Sequence, residues 1–262
     1  MSVVLKALKI KEIEIINYYL QLNSFAHPES KVGQKKINFR ITKENVEQWI
    51  VQALNAESIG AGSYPVDIKT DNFLADLKSM SIKIDKNGNV AKAESGETSL
   101  AQKFKTEENL DILFQHGKAE KIKTIWSRVL YDKYKTVVKE HKIDKIYYIF
   151  IMRANKKYYL FMTSVDYESI TNLNLEVDKQ RSTKDSVFIK NMIDEKFGNV
   201  KIYKAKKRME LRLNPKYFID NGYCIEFLNL TRVENINLRE TNLKKYIKKK
   251  NKKIFLNYIL IC

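Results

Sequence analysis

The sequence is poor in the residues that build several common kinds of site. Its two cysteines, Cys224 and Cys262, are too few for a disulfide framework. Its three histidines, His27, His116 and His141, lie far apart, which argues against a zinc centre or a His-Asn-His nuclease. No glycine-rich loop ending in Gly-Lys-Ser/Thr is present, so no ATP-driven step is expected. Any catalysis should therefore need only a metal ion, in a reducing, cytoplasmic setting.

Linkers and membrane segments are also lacking. Only three prolines and no Ser/Gly tract occur, and no long apolar run or signal peptide precedes the first helix. The apolar stretch from Ile254 to Cys262 is too short to span a bilayer and predicts a terminal strand or helix docked on the core. We expect a catalytic core with a helical N-terminus over residues 1–165. Residues 166–262 are expected to form a basic C-terminal region for DNA recognition, either separate or part of the same domain.

What the chain has in excess is positive charge. It carries 48 Lys and Arg against 31 Asp and Glu, a net charge of +17. Positions 201–262 alone hold 16 basic and 5 acidic residues. This balance favours a polyanionic partner such as DNA. Abundant Lys, Ile and Asn are also what an AT-rich genome produces, and a lysine run is often only a solvated face.

The segment from Tyr64 to Lys78 predicts a β-hairpin that separates charged from apolar side chains. With Asp71-Asn72 as the turn, Asp67 lies opposite Asp76 and Lys69 opposite Leu74, since paired positions sum to 143. By the same register, Pro65 lies opposite Lys78. The reverse face would carry the apolar side chains Tyr64, Val66, Ile68, Phe73, Ala75 and Leu77.

The two facing carboxylates predict a metal site. Charges about 5 Å apart repel by roughly 3 kcal/mol at an effective dielectric of about 20, so a cation or a shared proton is needed. Oxygen ligands without nearby His or Cys favour Mg²⁺, with Mn²⁺ as a substitute. Asp67 and Asp76 would hold the metal with the Leu77 carbonyl as a further ligand. Lys78 would orient the attacking water and offset charge in the transition state.

These residues resemble the PD-(D/E)XK nucleases, among them the type II restriction endonucleases. Pro65-Val66-Asp67 stands where that family has its first acid, and Asp76-Leu77-Lys78 matches its second acid, spacer and lysine. The resemblance covers about 20 residues. Val66 interrupts the Pro-Asp dipeptide, and the two acids are closer in sequence than in many members. Neither departure removes a reacting group.

The resemblance also implies a further acid on a helix ahead of the hairpin. Residues 42–56 predict that helix, with Thr42 as N-cap and an apolar stripe that includes Val46 and Ile50. Glu47, beside this stripe, is the chosen catalytic acid, and Glu44 and Glu57 remain alternatives.

The acid-x-lysine tripeptide is weak on its own, because it also occurs at residues 29–31, 140–142 and 194–196. Asp67-Ile68-Lys69 is a competing assignment within the same hairpin, but it would leave Asp76 and Lys78 without a role. Context favours the chosen assignment: a second acid lies opposite, the reverse face is apolar, and Gly60-Ala61-Gly62 lets the chain turn from the helix into the strand. The alternative is an exposed hairpin whose charges only pair across the strands.

Polar segments outside the hairpin supply candidate DNA contacts. The loop leaving the proposed site, the start of the next element, a later polar cluster and a basic stretch offer groups for phosphates or base edges. The candidates are Lys83, Lys86, Asn87, Lys92, Gln102, Gln180, Arg181, Lys184 and Arg208.

The remaining pattern predicts helices from about Leu5 to Leu22 and from Ala119 to Glu140, and a long polar segment from Ile84 to Lys105 that starts with a turn at residues 85–89. Strands are expected at 145–152, 157–165, 200–203, 210–213 and 223–228. This order predicts an α/β fold with a mixed central sheet flanked by helices, which the resemblance identifies with a restriction-endonuclease-like core.

The sequence therefore predicts a magnesium-dependent endonuclease that cuts double-stranded DNA at specific sites, acting as a homodimer. A nonspecific or structure-selective nuclease of the same family is one alternative. The other is a non-catalytic basic nucleic-acid-binding protein.

Overall fold

The computed structural model describes residues 8–26, 31–35, 41–60, 64–102, 109–154, 157–168, 175–190, 198–205 and 207–227. Five helices lie in these ranges: α1 Ile10–Ala26, α2 Lys43–Leu54, α3 Leu110–Gln115, α4 Ala119–His141 and α5 Pro215–Asp220. The described strands are β1 Glu57–Ser58, β2 Ile68–Lys69, β3 Leu74–Ser81, β4 Ser95–Gln102, β5 Ile146–Ala154, β6 Lys157–Val165, β7 Glu176–Val177, β8 Ser186–Lys190, β9 Gly198–Tyr203, β10 Arg208–Leu213 and β11 Ile225–Phe227.

The strands form two sheets. The first has the order β1-β2-β3-β5-β6-β11, and it is mixed because β3 and β5 run parallel while its other pairs are antiparallel. A parallel pair needs a long crossover, and the connection between β3 and β5 contains α4. The second sheet, β4-β10-β9-β8-β7, is antiparallel throughout. The predicted α/β class is confirmed.

Each face of the first sheet is covered by a hydrophobic cluster. On one face, α1 and α2 bury Ile16, Leu20 and Ile50 against Leu77 and Leu160 of the sheet. On the other face, α4 and the inner face of the second sheet complete a larger core. Its members include Trp126, Tyr134, Phe150, Phe161, Val187, Ile202 and Leu211. The first sheet is therefore the middle layer, and β3 lies inside it between β2 and β5.

Helix α2 begins at the predicted N-cap and ends at Leu54, two residues before the predicted end. The Thr42 hydroxyl accepts a hydrogen bond from the Asn45 amide at 3.2 Å, so Thr42 is the N-cap. Asn55 ends the helix in the left-handed region with φ of 49°. Val46 and Ile50 are buried, which directs this face of α2 toward β3.

The predicted hairpin register is confirmed at its turn end, where Ile68 pairs with Ala75 and Lys69 with Leu74. The ladder stops there, so the expected pairing of Pro65 with Lys78 and of Asp67 with Asp76 is wrong. The Asp67 amide donates to the Ala75 carbonyl at 2.9 Å, so both Asp67 and Ile68 oppose Ala75, as in a β-bulge.

The bulge also changes which face the first part of the hairpin occupies. Val66 and the partly buried Tyr64 pack in the α4-side core with Leu74, whereas Ile68 packs on the α1 and α2 side. The expectation that Tyr64 and Val66 share a face with Ile68 is wrong, because one extra residue shifts the alternation.

Among the other elements, the Ala119 helix and the strands near 145–152, 157–165, 200–203 and 210–213 are confirmed by α4, β5, β6, β9 and β10. β11 falls within the strand predicted at 223–228, and α1 starts and ends later than the predicted Leu5 to Leu22. The long polar segment from Ile84 to Lys105 contains β4 Ser95–Gln102, a strand that the sequence did not predict and that pairs with β10. The apolar stretch from Ile254 to Cys262 lies outside the described residues. No helix in the described part of the chain is long and apolar enough to cross a bilayer.

Candidate active site

Asp76 and Lys78 project from β3 toward α4 as a close ion pair. Asp76 is only 4% exposed, although its side chain is a carboxylate that ordinarily favours solvent. The Lys78 Nζ lies 2.5 Å from its Oδ1 and 5.9 Å from the centre of the Tyr148 ring. A buried carboxylate is costly unless a cation neutralises it. Lys78 supplies part of that neutralisation.

Asp67 is placed beside Asp76 by the bulge. In a regular ladder of this register the Leu77 amide would donate to the Val66 carbonyl. It donates instead to the Asp67 Oδ2 at 2.6 Å. This charge-assisted hydrogen bond fixes the Asp67 carboxylate next to the residue that follows Asp76. The two acids therefore come together without being ladder partners.

Gly60 gives Asp67 its room. The Ile59 and Gly60 amides both donate to the Asp67 carbonyl at 3.0 Å. A Cβ at Gly60 would lie 2.6 Å from the Asp67 Cα and 2.8 Å from the Val66 carbonyl oxygen. A glycine is required here by this close backbone approach.

A Gly60→Ala variant is expected to lose about 1–3 kcal/mol of unfolding free energy, because the added methyl group must push the Asp67 backbone away. Urea unfolding measures this loss. If the displaced Asp67 belongs to a metal site, Mg²⁺ affinity by calorimetry should fall in the same variant. Unchanged stability would contradict the close packing of Gly60 on Asp67.

Glu47 reaches the site through a lysine that the sequence did not single out. The Lys43 Nζ lies 2.8 Å from the Glu47 Oε1 and 3.7 Å from the Asp67 Oδ1. Desolvation alone would lower the pKa of Lys43, but the Glu47 hydrogen bond and the charges of Asp67 and Asp76 outweigh it, so its pKa is raised. Glu44 is exposed in the first turn of α2, and Glu57 pairs with Lys69 at 3.1 Å.

A third lysine, Lys133 of α4, approaches from the opposite side. Its Nζ donates to the Leu100 carbonyl of β4 at 3.0 Å. Burial lowers the pKa of Lys133 below its usual value, although the charge of Asp76 opposes this shift. Lys133 therefore connects the acids of the first sheet to the edge strand of the second.

The electrostatic state of Asp76 follows from these neighbours. Burial, reinforced by the Asp67 charge, raises the pKa of Asp76 to about 6, against the opposing effect of Lys78 and Lys133. Two adjacent carboxylates, one of them resisting ionisation, make a site whose charge a divalent cation would balance.

The donor set fits Mg²⁺ with a partly hydrated shell. Within the described residues, no three His, Cys, Asp or Glu side chains come close enough to hold a metal between them. Mg²⁺ commonly uses only one or two carboxylates and keeps several waters. The carboxylates of Asp67 and Asp76 meet that requirement, while zinc would lack its His and Cys ligands.

The predicted DNA-contact residues fall into separate places. Lys83, Lys86, Asn87 and Lys92 are exposed around a turn in which the Asp85 Oδ1 accepts the Asn87 amide at 2.9 Å. Gln102 ends β4.

Gln180 and Lys184 are exposed in the turn between β7 and β8. Arg181, in the same turn, makes a two-pronged contact with Glu94 at 3.0 and 2.7 Å. Arg208 on β10 lies 3.0 Å from Glu210. These two arginines hold internal carboxylates, whereas the exposed residues face solvent.

Two neighbours of the acids, Lys43 and Lys133, are absent from the sequence-based assignment. Lys43 precedes Glu47 by four residues on one helix, a spacing typical of an ion pair, and so had a local signal. Lys133 had none, because it meets the acids only through the packing of α4.

No protein-family model, curated protein or solved structure matches this chain.

Proposed function

We propose that this protein is a magnesium-dependent endonuclease that hydrolyses phosphodiester bonds of double-stranded DNA, with a restriction-endonuclease-like core. The observation that supports the proposal most is the grouping of Asp67, Asp76 and Lys78, with Asp76 buried and its pKa raised to about 6. A structural ion pair alone does not explain why a second carboxylate is held beside a buried one.

The roles follow from position. Asp67, Asp76 and the Leu77 carbonyl would hold the metal. When bound, Mg²⁺ would polarise the scissile phosphate and lower the pKa of a water molecule. The Lys78 ammonium, 2.5 Å from Asp76, orients that water and offsets charge that develops on the phosphoryl oxygens. A bond forms between the water oxygen and phosphorus as the bond to the leaving oxygen breaks, and the water proton passes to solvent.

Glu47 acts at the rim of this site. Its carboxylate and that of Asp67 share the Lys43 ammonium, so Glu47 is close enough to assist through the metal's water shell or through solvent. Lys43 in turn keeps the two carboxylates from repelling each other before the metal binds.

Substrate and assembly are part of the same proposal. The net charge of +17 suits a DNA backbone. The exposed lysines near Asp85 and in the β7–β8 turn are the proposed phosphate contacts. Cutting both strands at a specific site is achieved most simply by a two-fold homodimer with one site per strand. We place the protein in the cytoplasm, as a restriction enzyme would be.

Plasmid cleavage by the purified chain, with and without Mg²⁺, tests the proposal. Discrete fragments that require Mg²⁺ are the expected result. A smear would indicate a nonspecific nuclease of the same chemistry. Plasmid that stays intact while being bound would contradict the proposal and favour a non-catalytic DNA-binding protein.

A further inference from the structure

A cavity of about 420 Å³ lies next to the acids, between the start of α2 and the far end of β3. We call it the Arg153 cavity, and its polar lining residues are Lys43, Ser79, Ser81, Arg153 and Tyr158. None of these residues was among the site residues predicted from the sequence.

The lining of the Arg153 cavity has one sign of charge. Lys43 and Arg153 are its charged residues, three hydroxyls accompany them, and no carboxylate lines it among the described residues. Guanidinium, ammonium and hydroxyl groups are the donors that hold phosphate oxygens in nucleic-acid complexes. Near Asp67 and Asp76, the described donors of this kind are lysine ammonium groups.

Arg153 is held in place before any ligand binds. Its Nη2 donates to the Ser81 Oγ at 2.9 Å, and its charge acts on the nearby Tyr158 hydroxyl. Tyr158 is only 2% exposed, and burial raises the pKa of its hydroxyl to about 12, so it stays protonated.

Lys43 joins the Arg153 cavity to the candidate active site. The same ammonium that lines the cavity lies 2.8 Å from Glu47 and 3.7 Å from Asp67. Lys43 therefore lies between the cavity and Asp67, so a DNA strand bound at Asp67 could extend toward the cavity.

We propose that the Arg153 cavity binds a phosphate of the DNA strand that neighbours the scissile phosphate, with Arg153, Ser79 and Ser81 as its donors. This inference rests on the proposed function, because it takes the strand to run through the site at Asp76. Arg153 would then set the position of the DNA strand along the site.

The test compares Arg153→Gln with the wild type in binding a short labelled duplex by fluorescence anisotropy, with Ca²⁺ in place of Mg²⁺ to prevent cutting. Loss of one charge-assisted contact should weaken binding about tenfold. The slope of log affinity against log salt should become shallower by about one, as for one fewer neutralised phosphate. Arg153→Lys should keep the wild-type slope, since it keeps the charge.

Arg128→Gln is the matched control, because Arg128 is an exposed arginine of α4 that pairs with Asp132 and does not line the cavity. It should bind the duplex as the wild type does. Thermal melting of each variant checks that the fold is kept.

Wild-type affinity and slope in Arg153→Gln, in a chain that cuts DNA with Mg²⁺, would overturn this inference and leave the proposed function standing. A wild type that binds duplex but never cuts would instead overturn the proposed function. Protection of Arg153 from phenylglyoxal by inorganic phosphate, without any loss of duplex binding in Arg153→Gln, would indicate a free-anion site and also contradict the inference.

Discussion

A Lys78→Met variant is expected to cut DNA at least about 10²-fold more slowly than the wild type, while binding the duplex about as well. The methionine keeps the length of the side chain but removes the only ammonium at 2.5 Å from Asp76 among the described residues. Without it, charge on the phosphoryl oxygens is not offset, and the pKa of Asp76 should rise further because its strongest opposing charge is gone. Single-turnover cleavage at saturating Mg²⁺ measures the effect.

Lys69→Met is the matched control for this experiment. Lys69 belongs to the competing tripeptide Asp67-Ile68-Lys69, and its ammonium pairs with Glu57 at 3.1 Å. It should retain nearly the wild-type rate. The reverse outcome, with Lys69→Met inactive and Lys78→Met active, would transfer the catalytic role to the competing tripeptide.

An Asp76→Asn variant is expected to gain stability relative to the wild type as the pH rises. The pKa of Asp76 is about 6 in the folded chain and 3.8 as an isolated group. The folded state therefore binds more protons than the unfolded state between these values, so the unfolding free energy contributed by Asp76 falls as the pH rises through that window. At about 1.4 kcal/mol per pKa unit, the full effect is about 3 kcal/mol above pH 6.

Urea unfolding in EDTA at pH 4 and pH 8 measures this difference for the wild type and for Asp76→Asn. The gain of the variant over the wild type should be larger at pH 8 than at pH 4 by about 2.5 kcal/mol, because a small part of the effect is already present at pH 4. Asp132→Asn, at an exposed carboxylate of α4, should show a change within about 0.5 kcal/mol. An equal gain for Asp76→Asn at both pH values would mean that Asp76 is not held in an unfavourable charged state.

Catalytic groups often lower the stability of the fold, because they are retained for their chemistry rather than for stability. Asp76 fits this description because it is buried beside another acid and its two lysines do not restore its ordinary pKa. A carboxylate selected only for stability would lie at the surface or be replaced by an apolar residue.

The parts of the fold that the sequence predicted are those decided by local patterns. The Thr42 cap, the stripe of α2 and the turn at Asp71-Asn72 each depend on residues within a few positions. The paired strands β5 and β6 follow from their apolar runs and from the two residues of sequence that separate them.

The parts that it could not predict depend on distant partners. β4 forms a strand because it pairs with β10, which lies more than a hundred residues later in the sequence. The bulge at Asp67 arises where Ile59 and Gly60 bind the Asp67 carbonyl, and it brings the two acids together by a route other than ladder pairing. Arg181, predicted to contact DNA, meets Glu94 from 87 positions earlier.

The candidate site divides in the same way. Asp67, Asp76 and Lys78 were identified from spacing along one hairpin, and the structure places them together. Lys133 and the Arg153 cavity became visible only once α4 and the sheets were packed.

The most direct test is Mg²⁺-dependent plasmid cutting by Asp76→Ala beside the wild type, with duplex binding measured in Ca²⁺ for both and Asp132→Ala, at an exposed carboxylate of α4, as the control. We expect the wild type and Asp132→Ala to cut, and Asp76→Ala to bind DNA but cut at least about 10³-fold more slowly, because the metal loses a ligand. Cutting by Asp76→Ala at the wild-type rate would contradict the assignment of this hairpin as the catalytic centre.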